Sequence, residues 1–133
     1  MDARAFLEEL TADDPETAAC LVGTRELRAR EPRLDPFPED LPEIVRSRLG
    51  LLGIEGLYPH QSRGLEALRS GRDVILATGT ASGKTLVYDV AFAEAAVTVP
   101  RSTALYLFPT KALARDQLRA VRALKLTQIR ASA

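Results

Sequence analysis

A stretch of small residues between an apolar run and a helix-like segment is the feature that most limits what this chain can fold into. The stretch has the letters TGTASGKT, runs from Thr78 to Thr85, and directly follows the apolar run Val74–Ala77. Small residues let the backbone curl closely around an anion, so that successive N–H groups point at its oxygens. The start of the following helix adds a partial positive charge and unpaired N–H donors. The order of strand, loop and helix therefore predicts a phosphate-binding loop.

The end of this loop carries side chains that suit a nucleotide and its metal. Lys84 supplies a full positive charge for the β- and γ-phosphates, and Thr85 supplies a hydroxyl suited to holding Mg²⁺. The loop departs from the strict pattern G-x-x-x-x-G-K-[ST], because Thr78 occupies its first position. The predicted phosphate-site residues are Thr80, Ala81, Ser82, Gly83, Lys84 and Thr85.

Apolar runs and helix-like segments alternate along the second half of the chain. Strands are predicted over 73–77 and 102–108, helices over 84–97 and 111–124, and the beginning of a third strand over 127–131. The run Val74–Ala77 is apolar at every position, which is typical of a parallel strand buried on both faces. Strands that alternate with helices predict a parallel sheet with right-handed crossovers, and hence an α/β fold.

The first forty residues carry no recognisable chemistry. Helices are predicted over 2–10 and 16–30, the second interrupted near Gly23, and four prolines between residues 32 and 42 mark a rigid connector. Two further helices, from Pro42 and from Pro59, are predicted before the first strand. The sequence thus predicts a mainly helical arm, residues 1–40, followed by an α/β domain, residues 41–133.

Charge is distributed unevenly although the formal net charge is zero. Residues 1–45 hold 5 arginines and 12 acidic residues, whereas residues 46–133 hold 13 basic and 6 acidic residues. The excess of basic residues over 46–133 suits a polyanionic partner. Cys20 is the single cysteine, which excludes an internal disulfide and fits a reducing cytosol. Since no apolar run approaches membrane-spanning length, we expect a cytoplasmic protein without a membrane segment.

A second candidate site follows the predicted strand 102–108. Ligands gather at the carboxyl ends of parallel strands, so the turn at Pro109, Thr110 and Lys111 is expected beside the phosphate loop. A cation in the first turn of a helix is disfavoured by roughly 0.3–1 kcal/mol, which an external phosphate near Lys111 would offset. Helical spacing extends Lys111 into a basic stripe, which suits a nucleic-acid backbone or an ordinary solvated helix face. The stripe consists of Arg115, Arg119 and Arg122.

The segment Tyr58 to Gln61 precedes the helix that leads into the first predicted strand. A glutamine amide offers a donor and an acceptor together, which complement the N6 and N7 edge of adenine. Tyr58 offers a ring on which a base can stack. His60 fits a surface or capping residue better than a catalyst.

Together these three segments resemble the opening of the superfamily 2 helicases. Tyr58–Gln61 is similar to the adenine-reading glutamine motif, Thr78–Thr85 to motif I, and Pro109–Gln117 to motif Ia, which in that family contacts nucleic acid. Ala81, where most members have glycine, further resembles the YprA/MrfA-type DEAD/DEAH helicases. The resemblance implies a partial, RecA-like P-loop domain that binds ATP, Mg²⁺ through ATP and Thr85, and DNA. The DNA contacts it implies are Pro109, Thr110, Lys111 and Arg115.

Several parts of such a helicase do not occur in the 133 residues. There is no Asp-Glu-x-His motif, no second RecA-like domain and no cysteine-rich zinc region. The resemblance therefore implies the truncated first ATP-binding domain of a helicase, inactive by itself. Two alternatives remain open: a small P-loop nucleotide or metabolite kinase, and a non-catalytic nucleic-acid-binding module. A kinase does not need Gln61 or the turn at Pro109, and it needs an acceptor pocket and a lid.

Overall fold

The computed structural model describes residues 3–12, 15–25 and 31–132, which divide into two compact units, Met1–Glu31 and Pro32–Ala133. The first unit contains α1 (Ala3–Ala12) and α2 (Pro15–Cys20), neither of which has a buried residue. The predicted second helix therefore stops early: residues 21–25 are not helical, and 26–30 lie outside the described residues. Gly23 is a weak helix former, which agrees with the interruption predicted there.

Among its described residues the second unit contains four helices, each beginning within one residue of its predicted start. They are α3 (Glu43–Leu51), α4 (Pro59–Arg69), α5 (Thr85–Thr98) and α6 (Lys111–Ala123). Proline at the first position of α4 has the backbone angle of a helix and lacks only an N–H that would be unpaired there. Thr110 caps α6, because its Oγ1 accepts a hydrogen bond of 3.2 Å from the Leu113 N–H.

The hydrophobic core of the second unit joins its helices to the proline-rich connector. Its buried members are Phe37, Leu41, Val45, Leu49, Leu57, Leu65, Val90, Ala93, Leu124 and Leu126. The connector is further fixed by an isolated antiparallel bridge between Asp35 and Leu57, with N–O distances of 2.7 and 2.9 Å. Phe37 and Leu41 belong to this core, and the two compact units divide after Glu31. The assignment of domains to these units stays a prediction.

Helices α4 and α5 approach each other closely, and an ion cluster closes one end of their contact. A Cβ on Gly64 would lie 3.0 Å from Val87 Cγ1, so α5 packs where a larger residue would not fit. At the end of α4, Arg69 donates to Asp40 at 2.6 Å and to both oxygens of Glu94 at 2.8 and 3.0 Å. Its hydrogen bond and charge lower the pKa of Asp40 below the ordinary value. Because α4 packs on α5, the two ends of the segment that joins them, residues 70–84, are held close to both helices.

The predicted parallel sheet is not confirmed, because none of the described residues forms a strand. Residues 73–79 and 102–108 have no regular secondary structure, although exposure alternates over 73–77 and over 105–108. Ile75, Leu105 and Leu107 are 95%, 82% and 83% exposed, whereas their neighbours Leu76 and Tyr106 are partly buried. A period of two in exposure is typical of an extended chain that packs one face against the protein and leaves the other in solvent.

The absence of strand pairing and the exposure of Ile75, Leu105 and Leu107 have the same physical cause. A parallel strand needs a neighbouring backbone on which to place its N–H and C=O bonds. Within the described ranges no backbone hydrogen bond joins 73–77 to 102–108. Of residues 127–131, 127 and 128 form a turn and the rest have no regular secondary structure. The prediction that Val74–Ala77 is buried on both faces is therefore wrong for this structure. In the portion of the chain that the structure describes, no helix is both long and apolar enough to cross a bilayer.

Candidate functional site

The predicted phosphate loop folds back on its own lysine. Lys84 Nζ lies 2.9 Å from the carbonyl oxygen of Thr78, also donates to the Gly79 carbonyl, and is 3.4 Å from Ser82 Oγ. The hydroxyls of Thr78 and Ser82 are hydrogen-bonded at 2.7 Å. The ammonium group is thus enclosed by the loop between Thr78 and α5. Phosphate oxygens form stronger, charge-assisted bonds with an ammonium than neutral carbonyls do, so an incoming phosphate can replace these partners.

Two residues of the loop adopt left-handed backbone angles, Ala81 with φ of 57° and Gly83 with φ of 72°. For Ala81 this conformation costs roughly 1–2 kcal/mol. Gly83 is required for a second reason: a Cβ there would lie 2.5 Å from Gln61 Nε2. Alternation of right-handed and left-handed residues turns successive N–H groups toward one side, which is how a backbone concavity binds an anion. The loop thus contains two left-handed residues, Ala81 and Gly83, while anion binding by its backbone stays a prediction.

The first turn of α4 holds this loop by two consecutive carbonyl groups. His60 Nε2 lies 2.9 Å from the Ser82 carbonyl oxygen, and Gln61 Nε2 donates to the Gly83 carbonyl at 2.8 Å. The other end of the Gln61 amide accepts a 2.8 Å hydrogen bond from the Tyr58 N–H. Gln61 is 2% exposed, so its amide is a buried link between the start of α4 and the loop.

These contacts change the interpretation of the segment Tyr58–Gln61. Both ends of the Gln61 amide are engaged within the chain, so an adenine must share that amide or displace one partner. The Tyr58 ring is exposed and lies nearly parallel to the His60 ring, with centroids 5.9 Å apart and planes at 9°. The structure therefore brings Gln61 to the phosphate loop, while adenine recognition by Tyr58 and Gln61 stays a prediction.

Sequence reasoning assigned His60 no role at the loop. His60 lies in the first turn of α4, and its contact with Ser82 spans 22 positions along the chain. The only available signal was its place directly before Gln61, since adjacent residues in one helical turn can reach the same neighbouring loop.

The start of α5 is open to a ligand. No side chain caps this helix, and the Thr85 hydroxyl, which is partly buried, makes no hydrogen bond in the described portion. No group of three or more His, Cys, Asp or Glu residues suited to a metal ion occurs among the described residues. A hydroxyl beside bound phosphates fits Mg²⁺, which is commonly held by few protein ligands together with substrate phosphates. Thr85 would thus hold Mg²⁺ that arrives with a nucleotide.

The second predicted constellation, at the start of α6, divides into free and engaged side chains. Lys111 and Arg115 are exposed and have no hydrogen bond or ion pair in the described chain. Arg119 is paired with Asp116 at 2.8 Å, and Arg122 donates to the Ala131 carbonyl at 2.8 Å. Of these four cations, Lys111 and Arg115 thus have no partner in the described chain, whereas Arg119 and Arg122 each have one. Pro109 and Thr110 are exposed at the turn that precedes them.

A buried acid lies between the two constellations and was not found from the sequence. Asp89 on α5 is 7% exposed and accepts a 3.2 Å hydrogen bond from the Tyr106 hydroxyl. Burial raises the pKa of Asp89 to about 6, even though the Tyr106 hydrogen bond acts to lower it. Burial and the neighbouring Asp89 raise the pKa of Tyr106. Tyr88 adds a 3.4 Å contact with Gln117, so the loop helix α5 is joined to segment 102–108 and to α6.

Comparisons with known proteins agree on one family. The family described as DEAD/DEAH box helicase matches residues 58–133. The "Uncharacterized ATP-dependent helicase YprA" of Bacillus subtilis (strain 168) is 39% identical over 97 residues, 73% of this chain and 13% of that protein. The "ATP-dependent helicase HRQ1" of Saccharomyces cerevisiae is 46% identical over 68 residues, 51% of this chain and 6% of that protein.

Solved structures give the same result. A crystal structure of the DUF1998 helicase MrfA bound to DNA covers 93% of this chain at a TM-score of 0.71 and 31% identity. A second, of MrfA bound to DNA and AMPPNP, covers 85% at a TM-score of 0.69 and 32% identity. The chain spans 17% of the MrfA chain in both cases, and therefore only a small part of the relatives that it matches.

Proposed function

The chain belongs to the DEAD/DEAH box helicase family, as its YprA/MrfA-type motifs predict, and we therefore propose that it forms the ATP-binding and DNA-binding segment of an ATP-dependent helicase. The observation that carries the proposal is the loop before α5, where Lys84 is enclosed by carbonyl groups that phosphate oxygens can replace. An uncapped helix start and the unpaired Thr85 hydroxyl lie directly after it.

In the proposed complex, the triphosphate lies in the loop and takes over the ammonium group of Lys84. Backbone N–H groups of the loop supply the remaining donors, and Thr85 holds the Mg²⁺ that accompanies the nucleotide. When bound, the metal supplies charge neutralisation for the phosphates. The proposed phosphate-site residues are Thr80, Ala81, Ser82, Gly83, Lys84 and Thr85.

The adenine is proposed to lie at the start of α4. Tyr58 is 42% exposed and offers its ring for stacking. A primary amide has two N–H groups and two lone pairs, so Gln61 retains one of each after its contacts with Gly83 and Tyr58. Those remaining groups match the edge of adenine that carries N6 and N7.

DNA is proposed to contact the start of α6. Lys111 and Arg115 are exposed and unpaired in the described chain, one helical turn apart, so both can reach one phosphate backbone. Thr110 uses its oxygen to cap the helix and keeps its O–H for a phosphate. With Pro109, which fixes the turn, these residues form the proposed nucleic-acid contact of this segment.

The chain by itself is proposed to bind ATP without helicase-rate hydrolysis. Phosphoryl transfer requires a group that positions the attacking water and a cation that stabilises the transition state. No Asp-Glu pair of the kind that serves this purpose in the family occurs in the 133 residues. We also propose that the protein is cytoplasmic, because its single cysteine fits a reducing compartment.

Isothermal titration calorimetry on the full chain tests the proposal. Mg·ATP and Mg·ADP should each bind at one site, and steady-state assays should detect little phosphate release. Absence of binding heat at millimolar nucleotide would refute nucleotide binding. DNA binding by a chain that binds no nucleotide would support the non-catalytic nucleic-acid-binding module instead. Phosphoryl transfer from ATP to a small acceptor would support the kinase.

A further inference from the structure

His60 contacts the phosphate loop in a way that fixes the direction of one peptide group. Its Nε2 lies 2.9 Å from the carbonyl oxygen of Ser82. A carbonyl oxygen only accepts hydrogen bonds, so Nε2 carries the hydrogen and donates it. The bond therefore turns the Ser82 carbonyl toward α4.

The direction of that carbonyl determines where the next N–H points. The described peptide bonds are all trans, and in a planar trans peptide the C=O and N–H groups point in opposite directions. Because the Ser82 carbonyl faces α4, the Gly83 N–H faces away from α4. Gln61 has the same effect on the following peptide, since its bond to the Gly83 carbonyl turns the Lys84 N–H away from α4. Two successive N–H groups are thereby aligned on one side of the loop, as anion binding by a backbone requires.

The His60 side chain is itself held in place. Its ring is partly buried and lies nearly parallel to the Tyr58 ring, at 9° and 5.9 Å between centroids. Pro59 lies between the two residues at the first position of α4 and restricts the backbone there. The donor thus meets the Ser82 carbonyl with little freedom left to lose, which favours a defined loop conformation before a ligand arrives.

We propose that His60 is a positioning residue for phosphate binding: its Nε2–H group fixes the Ser82–Gly83 peptide so that the Gly83 N–H is directed at the phosphates of the bound nucleotide. The inference rests on the proposed function, because it assumes that the loop binds a triphosphate. It assigns to His60 an effect on phosphate affinity, with no direct contact between the imidazole and the ligand.

Two substitutions separate the donor from the ring. His60→Phe keeps an aromatic ring against Tyr58 but removes the donor, whereas His60→Gln removes the ring but places an amide N–H at a similar distance from the backbone. If His60→Phe does not fold, His60→Asn replaces it, because the shorter amide cannot reach the Ser82 carbonyl. Thermal unfolding followed by circular dichroism establishes that each variant is folded.

Calorimetric titration of the full chain with Mg·ATP, tripolyphosphate and adenosine then tests the inference. We expect His60→Phe to weaken Mg·ATP and tripolyphosphate by about five- to tenfold, the effect of one lost hydrogen bond, and to leave adenosine affinity unchanged. His60→Gln should stay within about twofold of the wild type, because the donor is retained.

Each remaining outcome decides against a specific statement. Equal tripolyphosphate affinity in His60→Phe and the wild type would overturn the positioning role. Equal losses in His60→Phe and His60→Gln, or a parallel loss of adenosine affinity, would show that His60 acts only through general packing and would also overturn it. Failure of the wild-type chain to bind Mg·ATP would refute the proposed function, and the inference with it. The wild-type titration thus distinguishes the two failures.

Discussion

The start of α4 with its phosphate loop and the start of α6 present their polar side chains in opposite ways. At the loop, His60, Gln61 and Lys84 each donate to a carbonyl group of the same chain. At α6, Lys111 and Arg115 extend into solvent without a partner in the part of the chain that the structure describes. A phosphate in the loop must therefore replace the carbonyl partners of Lys84 within a fixed geometry, whereas a ligand of α6 meets exposed charge.

This difference separates two kinds of recognition. A loop held by internal bonds favours the ligand whose atoms match the bonds that it replaces, and single changes there should have large effects. Exposed cations bind a polyanion through charge that salt screens, and each should contribute a small and nearly independent amount. Substitutions at the loop, at the buried acid beside it and at α6 test this contrast, in decreasing order of effect.

Gly83→Ala should lower the free energy of unfolding by about 3 kcal/mol, since it combines left-handed strain with loss of the Gln61 bond. The physical reason is the φ of 72° at Gly83 and the distance of only 2.5 Å between an added Cβ and Gln61 Nε2. Urea unfolding gives the measurement. Gly79→Ala is the matched control in the same loop, because no atom lies within 4 Å of the added Cβ. Equal destabilisation by both changes would contradict a loop fixed at Gly83.

Lys84→Ala should weaken Mg·ATP by about 10- to 100-fold, which corresponds to the loss of a charged hydrogen bond of roughly 1.5–3 kcal/mol. Equilibrium titration measures the effect. Arg72→Ala serves as a control, since Arg72 is an exposed cation whose described contact is a 3.2 Å bond to Ser70. A loss in Lys84→Ala no greater than that in Arg72→Ala would mean that the loop recognises net charge alone, as proposed for α6.

Asp89 should make the protein less stable as pH rises. Its pKa is raised from 3.8 to about 6 in the folded chain, so the folded state binds the proton more tightly than the unfolded state. The free energy of unfolding should therefore fall between about pH 4 and pH 6, with a loss on the order of 2 kcal/mol that persists above pH 6. Asp89→Asn keeps an acceptor for Tyr106 and should abolish this loss.

The measurement compares urea unfolding of the wild type and Asp89→Asn at about pH 4.5 and about pH 7.5, on either side of the raised pKa. The variant should gain stability relative to the wild type at the higher pH. If the free energy of unfolding changed by the same amount between the two pH values in both proteins, the Asp89 carboxyl would not be buried between α5 and segment 102–108. The contact that joins the loop helix to the region before α6 would then be absent in solution.

Lys111→Ala and Arg115→Ala should each weaken DNA binding only a few-fold and reduce the salt slope of the affinity by about one. Both side chains are free in the described chain, so each contributes charge without disrupting internal bonds. Fluorescence anisotropy with a short oligonucleotide over a range of salt concentrations provides the test. Arg119→Ala, which removes a cation already paired with Asp116, should change the slope less. Losses of DNA affinity that do not depend on salt would mean that these side chains make specific contacts rather than contributing charge alone.

Local signals in the sequence were sufficient for the starts of α3 to α6, but not for the end of α2. Pro59 and Thr110 mark the starts of α4 and α6, and the Gly-Lys-Thr sequence before an apolar helix specifies the loop. These features depend on residues within one or two helical turns of each other. The prediction of a sheet used equally clear apolar runs, but a strand also needs a second backbone, and 73–77 finds none in the described chain.

Neighbouring residues along the chain specify where α3 to α6 begin and which family the chain resembles, and they predict a phosphate loop before α5. Three further features become visible only in the folded chain. Gln61 and His60 bind successive carbonyls of the loop, Asp89 is buried against Tyr106, and Ile75 and Leu107 face solvent. The contacts join positions 17 to 22 residues apart, and the exposure of Ile75 and Leu107 depends on which neighbouring elements cover them, so neither follows from adjacent residues.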